Sequence, residues 1–210
     1  MSSRPAATDA ARRGAVVALP NVLTLFRIGL VPVLVVALMM ATPPARIFAA
    51  GCFFVACVTD FFDGWLARRH GITTALGQML DPLADKLLVT AALIMLAAVP
   101  PEPRVPVWMV VVIVCRELAV TGLRGVALSM GVVVPASSLG KLKTVSQYVA
   151  VTVLILERGV PREYVPFHLV SVGVLWVAVG LTVVSGADYF YRFLLKAGPR
   201  AIIKDQERWP

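Results

Sequence analysis

Apolar residues run along the chain in six blocks, near 20–42, 47–66, 83–100, 106–130, 143–157 and 166–191. Proline- and glycine-bearing stretches separate most of them: TPPAR, VPPEPRVP, GVVVPASSLG and RGVPREYVP. The basic link RRHGITTALG joins the second block to the third, where the boundary is blurred. A helix needs roughly 20 residues to cross a bilayer core, and each block approaches that length, the fifth being the shortest. The pattern predicts six transmembrane helices in one all-α polytopic membrane protein, with no repeat and no second domain. A polar tail over 1–14, a catalytic bundle over 15–195 and a basic tail over 196–210 complete the expected organisation.

Composition agrees with that class. Of 210 residues, 59% are hydrophobic and 15% charged, with a mean hydropathy of +0.83. A soluble domain carries about a quarter charged residues. The first 14 residues are polar and basic, and no cleavage-like site follows the apolar run, so a secretory signal is not expected. AARRGAVVALP has a weak pattern for a short helix on the membrane surface.

Charge sets the orientation. With the N-terminus in the cytoplasm, outside loops hold Arg46, Arg104, Arg158 and Arg162. Inside segments hold Arg4, Arg12, Arg13, Arg68, Arg69, Lys141, Lys143, Arg192, Lys196, Arg200, Lys204 and Arg208. The positive-inside rule places both termini, and any site on that side, in the cytoplasm of a cell (inner or plasma) membrane. The net charge of +8 then belongs to a face suited to anionic lipid; no soluble basic surface for nucleic acid is visible. Cys52, Cys57 and Cys115 lie inside apolar blocks without metal-site spacing and read as small buried hydrophobes.

The unusual feature is the run DFFDGWLARRHGITTALGQMLDPLAD, Asp60 to Asp85, which sets four aspartates at the seam of two apolar blocks. On a helix Asp60, Asp63, Gly64 and Ala67 share one face, and Asp81 and Asp85 share another. Two antiparallel helices would bring all four to the cytoplasmic end. One carboxylate in mid-membrane costs about 2.5–3.5 kcal/mol, and four together cannot all ionise without cations. Lys86 and Arg68 are too few to neutralise them. Oxygen-only ligands favour a hard divalent ion, and four carboxylates suit two metals that clamp a phosphate and its leaving oxygen. Gly64, Ala67 and Gly77 leave room for a ligand, and Arg68 offers phosphate-matching geometry. A bland alternative, helix caps or interfacial salt bridges, fits one aspartate better than four. A divalent-cation transporter is the alternative of another class, but the aspartates cluster toward one face and Arg68 has no use in a cation path.

The run reads D-x2-D-G-x2-A-R-x8-G-x3-D-x3-D without a departure. It resembles the signature of the CDP-alcohol phosphotransferase family, whose plan is six spans with this motif across the second and third. The resemblance implies that Asp60, Asp63, Asp81 and Asp85 hold two divalent ions, Mg2+ or Mn2+, with Asp85 also the general base. It places Gly64, Ala67, Arg68, Gly77 and Thr74 around the CDP group of a CDP-linked lipid, with CMP as leaving product, and a homodimer is the family expectation.

Three further stretches, PNVLTLFR from Pro20, CRELAVTGLR from Cys115 and GKLKTVSQ from Gly140, resemble the branch whose acceptor is sn-glycerol 3-phosphate. Asn21 and Thr24 are then nucleotide contacts, although Asn21 also suits a helix cap. Arg116 and Arg124, two turns apart in an apolar block, with Lys141 and Lys143 on the same membrane side, would form the acceptor's phosphate pocket. Glu117 can pair with one arginine, by i,i+7 with Arg124. Lys141 and Lys143 cannot both point the same way on a regular helix, so one would meet lipid headgroups. Arg27 either faces the site or snorkels. Asp188 and Arg192 read as a structural ion pair, His70 and His168 as non-ligands, and Trp65, Trp108 and Trp176 as packing or interface anchors. The expected reaction is phosphatidyl transfer from CDP-diacylglycerol to glycerol 3-phosphate. Phosphatidylglycerol (a cardiolipin synthase) or an inositol phosphate would be the alternative acceptors.

Overall fold

The structure is a computed structural model. It describes residues 24–40, 42–70, 75–99, 105–135, 137–157, 159 and 165–206; the side chains of 61–70, 75–82, 85, 165–168 and 197–206 lie outside the description. The described residues form helices and turns, with no strand. In order these are α1 (Thr24–Met39), α2 (Pro43–His70), α3 (Ala75–Ala98), α4 (Val107–Ser129), α5 (Ser138–Glu157) and α6 (Val165–Gln206).

Local chemistry sets the boundaries. Pro43 and Pro44 occupy the first turn of α2, where a missing N–H costs nothing. Pro106 precedes α4 in extended geometry. Helix α4 closes in a Schellman motif: Gly131, at φ +67°, donates to Leu128 O at 3.0 Å, and Val132 donates to Ala127 O at 2.8 Å. Ser137 caps α5, its Oγ accepting the Gly140 N–H at 3.3 Å.

One face of each helix turns inward. Ala49, Phe53 and Ala56 of α2 meet Leu88, Ala92 and Leu96 of α3, Met109 and Ile113 of α4, and Val151, Leu154 and Ile155 of α5. Helix α5 is central, packing on α2, α3 and α6, while α4 lies against α3 and α6. The outer faces are equally apolar: Phe26, Phe48, Phe54, Leu118, Leu169, Trp176 and Leu195 are all exposed. Trp108 and Trp176 pair on that surface, with ring centroids 5.5 Å apart. So much uncovered apolar surface suits hydrocarbon rather than water. Among the described residues two helical stretches, Ser138–Glu157 and Leu169–Lys196, are long and apolar enough to cross a membrane.

The elements depart most from the expected blocks in three places. Helix α3 begins at Ala75 rather than near 83, so Asp81, Pro82 and Asp85 all lie within it. Helix α5 begins at Ser138 rather than 143; its 20 residues give about 30 Å of helix, the thickness of a bilayer core. Helix α6 runs to Gln206, across the expected tail boundary at 195/196. The cysteines also differ from expectation: Cys57 is buried, but Cys52 is partly covered and Cys115 is exposed on the apolar exterior.

Candidate active site

Successive helices reverse direction, so the C-terminal halves of α2, α4 and α6 share one end of the bundle with the N-terminal halves of α1, α3 and α5. Side-chain pairs between neighbouring helices verify this. Arg27 of α1 pairs with Asp60 of α2 at 2.9 Å. Lys86 of α3 donates to Thr121 Oγ1 of α4. Lys143 of α5 pairs with Glu117 of α4. Among the described side chains, Arg27, Asp60, Lys86, Glu117 and Lys143 therefore gather at one end.

Asp60 is the one motif aspartate whose side chain is described. Its Oδ1 takes the Arg27 guanidinium, and its Oδ2 accepts the Tyr148 hydroxyl at 3.3 Å. Tyr148 is fixed edge-on against Phe53, 6.3 Å between centroids. Arg27 is 3% exposed, so it faces inward and does not snorkel; Thr24, one turn earlier, is buried as well. Each Asp60 oxygen keeps a lone pair beyond these bonds, so the carboxylate can still ligate a cation. Asp63, Gly64, Ala67 and Arg68 follow on α2, and Gly77, Asp81 and Asp85 lie on α3. The two helices are in contact. The side chains of these seven residues, and Asn21 and Thr74 altogether, lie outside the described residues. Among the described residues no group of three or more His, Cys, Asp or Glu side chains forms a site of its own.

The Arg27–Asp60 pair has a stability consequence. Asp60→Asn removes a counter-charge of a buried guanidinium. Loss of a hydrogen bond to a charged group costs about 1.5–3 kcal/mol. The thermal midpoint of purified protein in metal-free detergent should fall, and adding Arg27→Met to that variant should recover part of the loss. An unchanged midpoint in the single variant would contradict the pairing.

A second cluster joins α4, α5 and α6. Glu117 Oε1 accepts Arg116 Nη1 at 3.1 Å and also Lys143 Nζ. Arg116 Nη2 donates to Ser185 Oγ at 3.0 Å. Gly186 permits this approach, since a Cβ there would lie 3.0 Å from Arg116 Cγ. One turn further along α6, the Arg124 guanidinium sits over the Tyr189 ring, 5.7 Å from its centroid. Both arginines thus face α6, as their spacing predicts. The expected Glu117–Arg124 pairing is replaced by Glu117 with Arg116 and Lys143, because packed α5 offers a nearer cation. Lys143 is buried and Lys141 exposed, so the two lysines point apart as their spacing requires. Asp188 and Arg192 form the expected i,i+4 pair at 2.8 Å.

Sequence reading missed Tyr148 and Ser185. The signal for Ser185 is the inward register of α6: Ser171, Leu175, Ala178, Thr182, Ser185 and Tyr189 are buried at alternating spacings of four and three. Thr182 accepts the buried Gln147 amide at 2.9 Å, so hydroxyls on this face mark a polar seam between α5 and α6.

Comparison with known proteins identifies the family. The CDP-alcohol phosphatidyltransferase family profile matches residues 17–184. The chain is 45% identical over 184 residues to the CDP-diacylglycerol--glycerol-3-phosphate 3-phosphatidyltransferase of Bacillus subtilis, covering 82% of this chain and 93% of that protein. It is 40% identical over 173 residues to the enzyme of the same name from Rickettsia bellii, covering 82% and 93%. Identity is 36% over 195 residues to an Arabidopsis thaliana CDP-diacylglycerol--glycerol-3-phosphate 3-phosphatidyltransferase, covering 86% and 83%. The family is generally dependent on divalent metal. Its match and the apolar helices together describe a membrane-embedded transferase. The chain belongs to the CDP-alcohol phosphatidyltransferase family.

Proposed function

We propose that this enzyme transfers the phosphatidyl group of CDP-diacylglycerol to sn-glycerol 3-phosphate, giving phosphatidylglycerophosphate and CMP. The observation that carries the reading is the joining of Arg116, Glu117 and Lys143 at the same end of the bundle as the aspartate helices, in a chain whose relatives bear that enzyme name. An anionic acceptor needs such cations; a neutral alcohol does not.

Asp60, Asp63, Asp81 and Asp85 would hold two divalent ions, Mg2+ or Mn2+, whose charge neutralises the donor's diphosphate. Gly64, Ala67 and Gly77 leave room for the CDP group beside Arg68, Asn21, Thr24 and Thr74. Asp85 accepts the proton of the acceptor hydroxyl. That oxygen forms a bond to the phosphorus nearer the lipid. The bond from this phosphorus to the CMP oxygen breaks, and CMP leaves with the electron pair. Arg116, Arg124 and Lys143 hold the acceptor phosphate, while exposed Lys141 meets anionic headgroups. The chain works as a homodimer in the inner or plasma membrane, with six spans and both termini and the site in the cytoplasm.

The arginines give the first test. A charged donor to phosphate is worth about 1.5–3 kcal/mol, or about 10- to 150-fold in affinity. Arg124→Ala and Arg116→Ala should each raise the KM for glycerol 3-phosphate by that order and leave the KM for CDP-diacylglycerol nearly unchanged. The reverse pattern would move the arginines to the donor side.

A further inference from the structure

We infer that Glu117 is a positioning residue of the acceptor pocket, holding Arg116 of α4 and Lys143 of α5 side by side for one phosphate group. The inference rests on the acceptor reading above and deepens it. Glu117 is mostly covered, with a side chain 13% exposed, and one oxygen, Oε1, takes both cations. Arg116 and Lys143 are themselves 14% and 6% exposed, so neither is free to swing into solvent. Ser185 fixes the other arm of the Arg116 guanidinium from α6. Thr121 donates to the Glu117 carbonyl at 2.6 Å and accepts from Lys86, tying the same turn of α4 to α3 beside Asp85. One carboxylate therefore sets the relation between cations from two helices, next to the helix that carries the proposed base. It also sets the charge. Arg116, Lys143 and Arg124 less Glu117 leave two positive charges, and Lys86 adds a third beside them, an excess that favours a phosphate monoester carrying about −1.5 to −2 at pH 7. A phosphodiester acceptor, with a single negative charge, matches this pocket less well.

Two roles for Glu117 predict opposite signs. A mere counter-charge would weaken anion binding, so Glu117→Gln would lower the KM for glycerol 3-phosphate. A positioning residue makes the same variant raise that KM, about tenfold if one charged hydrogen bond to the phosphate is removed, with kcat and the KM for CDP-diacylglycerol changed less than about threefold. Glu117→Asp should recover part of the loss. Glu117→Gln should cost less in a Lys143→Met background than in the unmutated enzyme, because part of its effect passes through Lys143 and the rest through Arg116. If Glu117→Gln does not fold, Ser185→Ala serves instead; it frees the other arm of Arg116 and should raise the same KM alone. The unmutated enzyme is assayed first against each acceptor, so failure of the substrate reading shows there, apart from the variants. An unchanged or lowered KM for glycerol 3-phosphate overturns the inference. So does a joint change of kcat, both KM values and the thermal midpoint, which marks a merely structural ion pair.

Discussion

Asp85→Asn should lower turnover about 10²- to 10⁴-fold, the usual worth of a positioned acid or base, while CDP-diacylglycerol still binds. The substitution keeps the size and shape of the side chain but removes its basicity. Asp85 lies in α3 one position before Lys86, whose ammonium reaches Thr121 and so the α4 turn that carries Glu117. That places the proposed base on the helix adjoining the proposed acceptor pocket, the arrangement that proton removal from a bound acceptor requires. Equilibrium binding of labelled CDP-diacylglycerol and single-turnover kinetics separate the roles. If Asp85 serves only as a ligand, binding and turnover fall together and added metal restores part of both. Near-normal turnover in the variant removes Asp85 from the mechanism.

Removal of divalent metal should abolish activity altogether, and Mg2+ or Mn2+ should restore it. Four carboxylates on two packed helices repel one another unless cations neutralise them. Arg27 pairs with Asp60, and Lys86, on α3, donates to Thr121. The motif's fixed positions and its flanking residue carry four aspartates against Arg68 and Lys86, so the expected site needs further positive charge. A chelator series with purified enzyme, followed by back-titration of Mg2+, Mn2+ and Ca2+, reads the requirement directly. Full activity in metal-free buffer contradicts the assignment of Asp60, Asp63, Asp81 and Asp85 as a metal site.

The sequence made the helices and the aspartate motif readable because both depend on local spacing. Six apolar blocks correspond to α1 through α6, and the motif falls on α2 and α3 as its periodicity requires. The ends were less readable where polarity and helicity part company. Gly77, Gln78, Asp81 and Pro82 depress hydropathy at the start of α3, yet the backbone is helical there. Ser137 was the overlooked cap that starts α5 five residues before its hydropathy rises.

Side-chain partners that depend on neighbouring helices were not readable. Glu117 has Arg124 at i,i+7 on its own helix, but Lys143 arrives from α5. Tyr148 reaches Asp60 across 88 positions of sequence, and Ser185 reaches Arg116 across 69. Burial was ambiguous as well. In an apolar bundle the outside is as hydrophobic as the inside, so Cys115 gave no sign of lying on the exterior.

The central claim is the acceptor, and one measurement addresses it most directly. Purified full-length enzyme in detergent micelles with Mg2+ is given radiolabelled CDP-diacylglycerol and, separately, glycerol 3-phosphate, phosphatidylglycerol, an inositol phosphate or no acceptor. The labelled lipid and CMP are then quantified. Glycerol 3-phosphate should give phosphatidylglycerophosphate with equimolar CMP, at a kcat/KM at least about tenfold above the other acceptors, the worth of one charged hydrogen bond to phosphate. Preferential formation of cardiolipin from phosphatidylglycerol, or of an inositol lipid, would contradict the acceptor assignment, and absence of CMP with every acceptor would contradict the transferase chemistry itself.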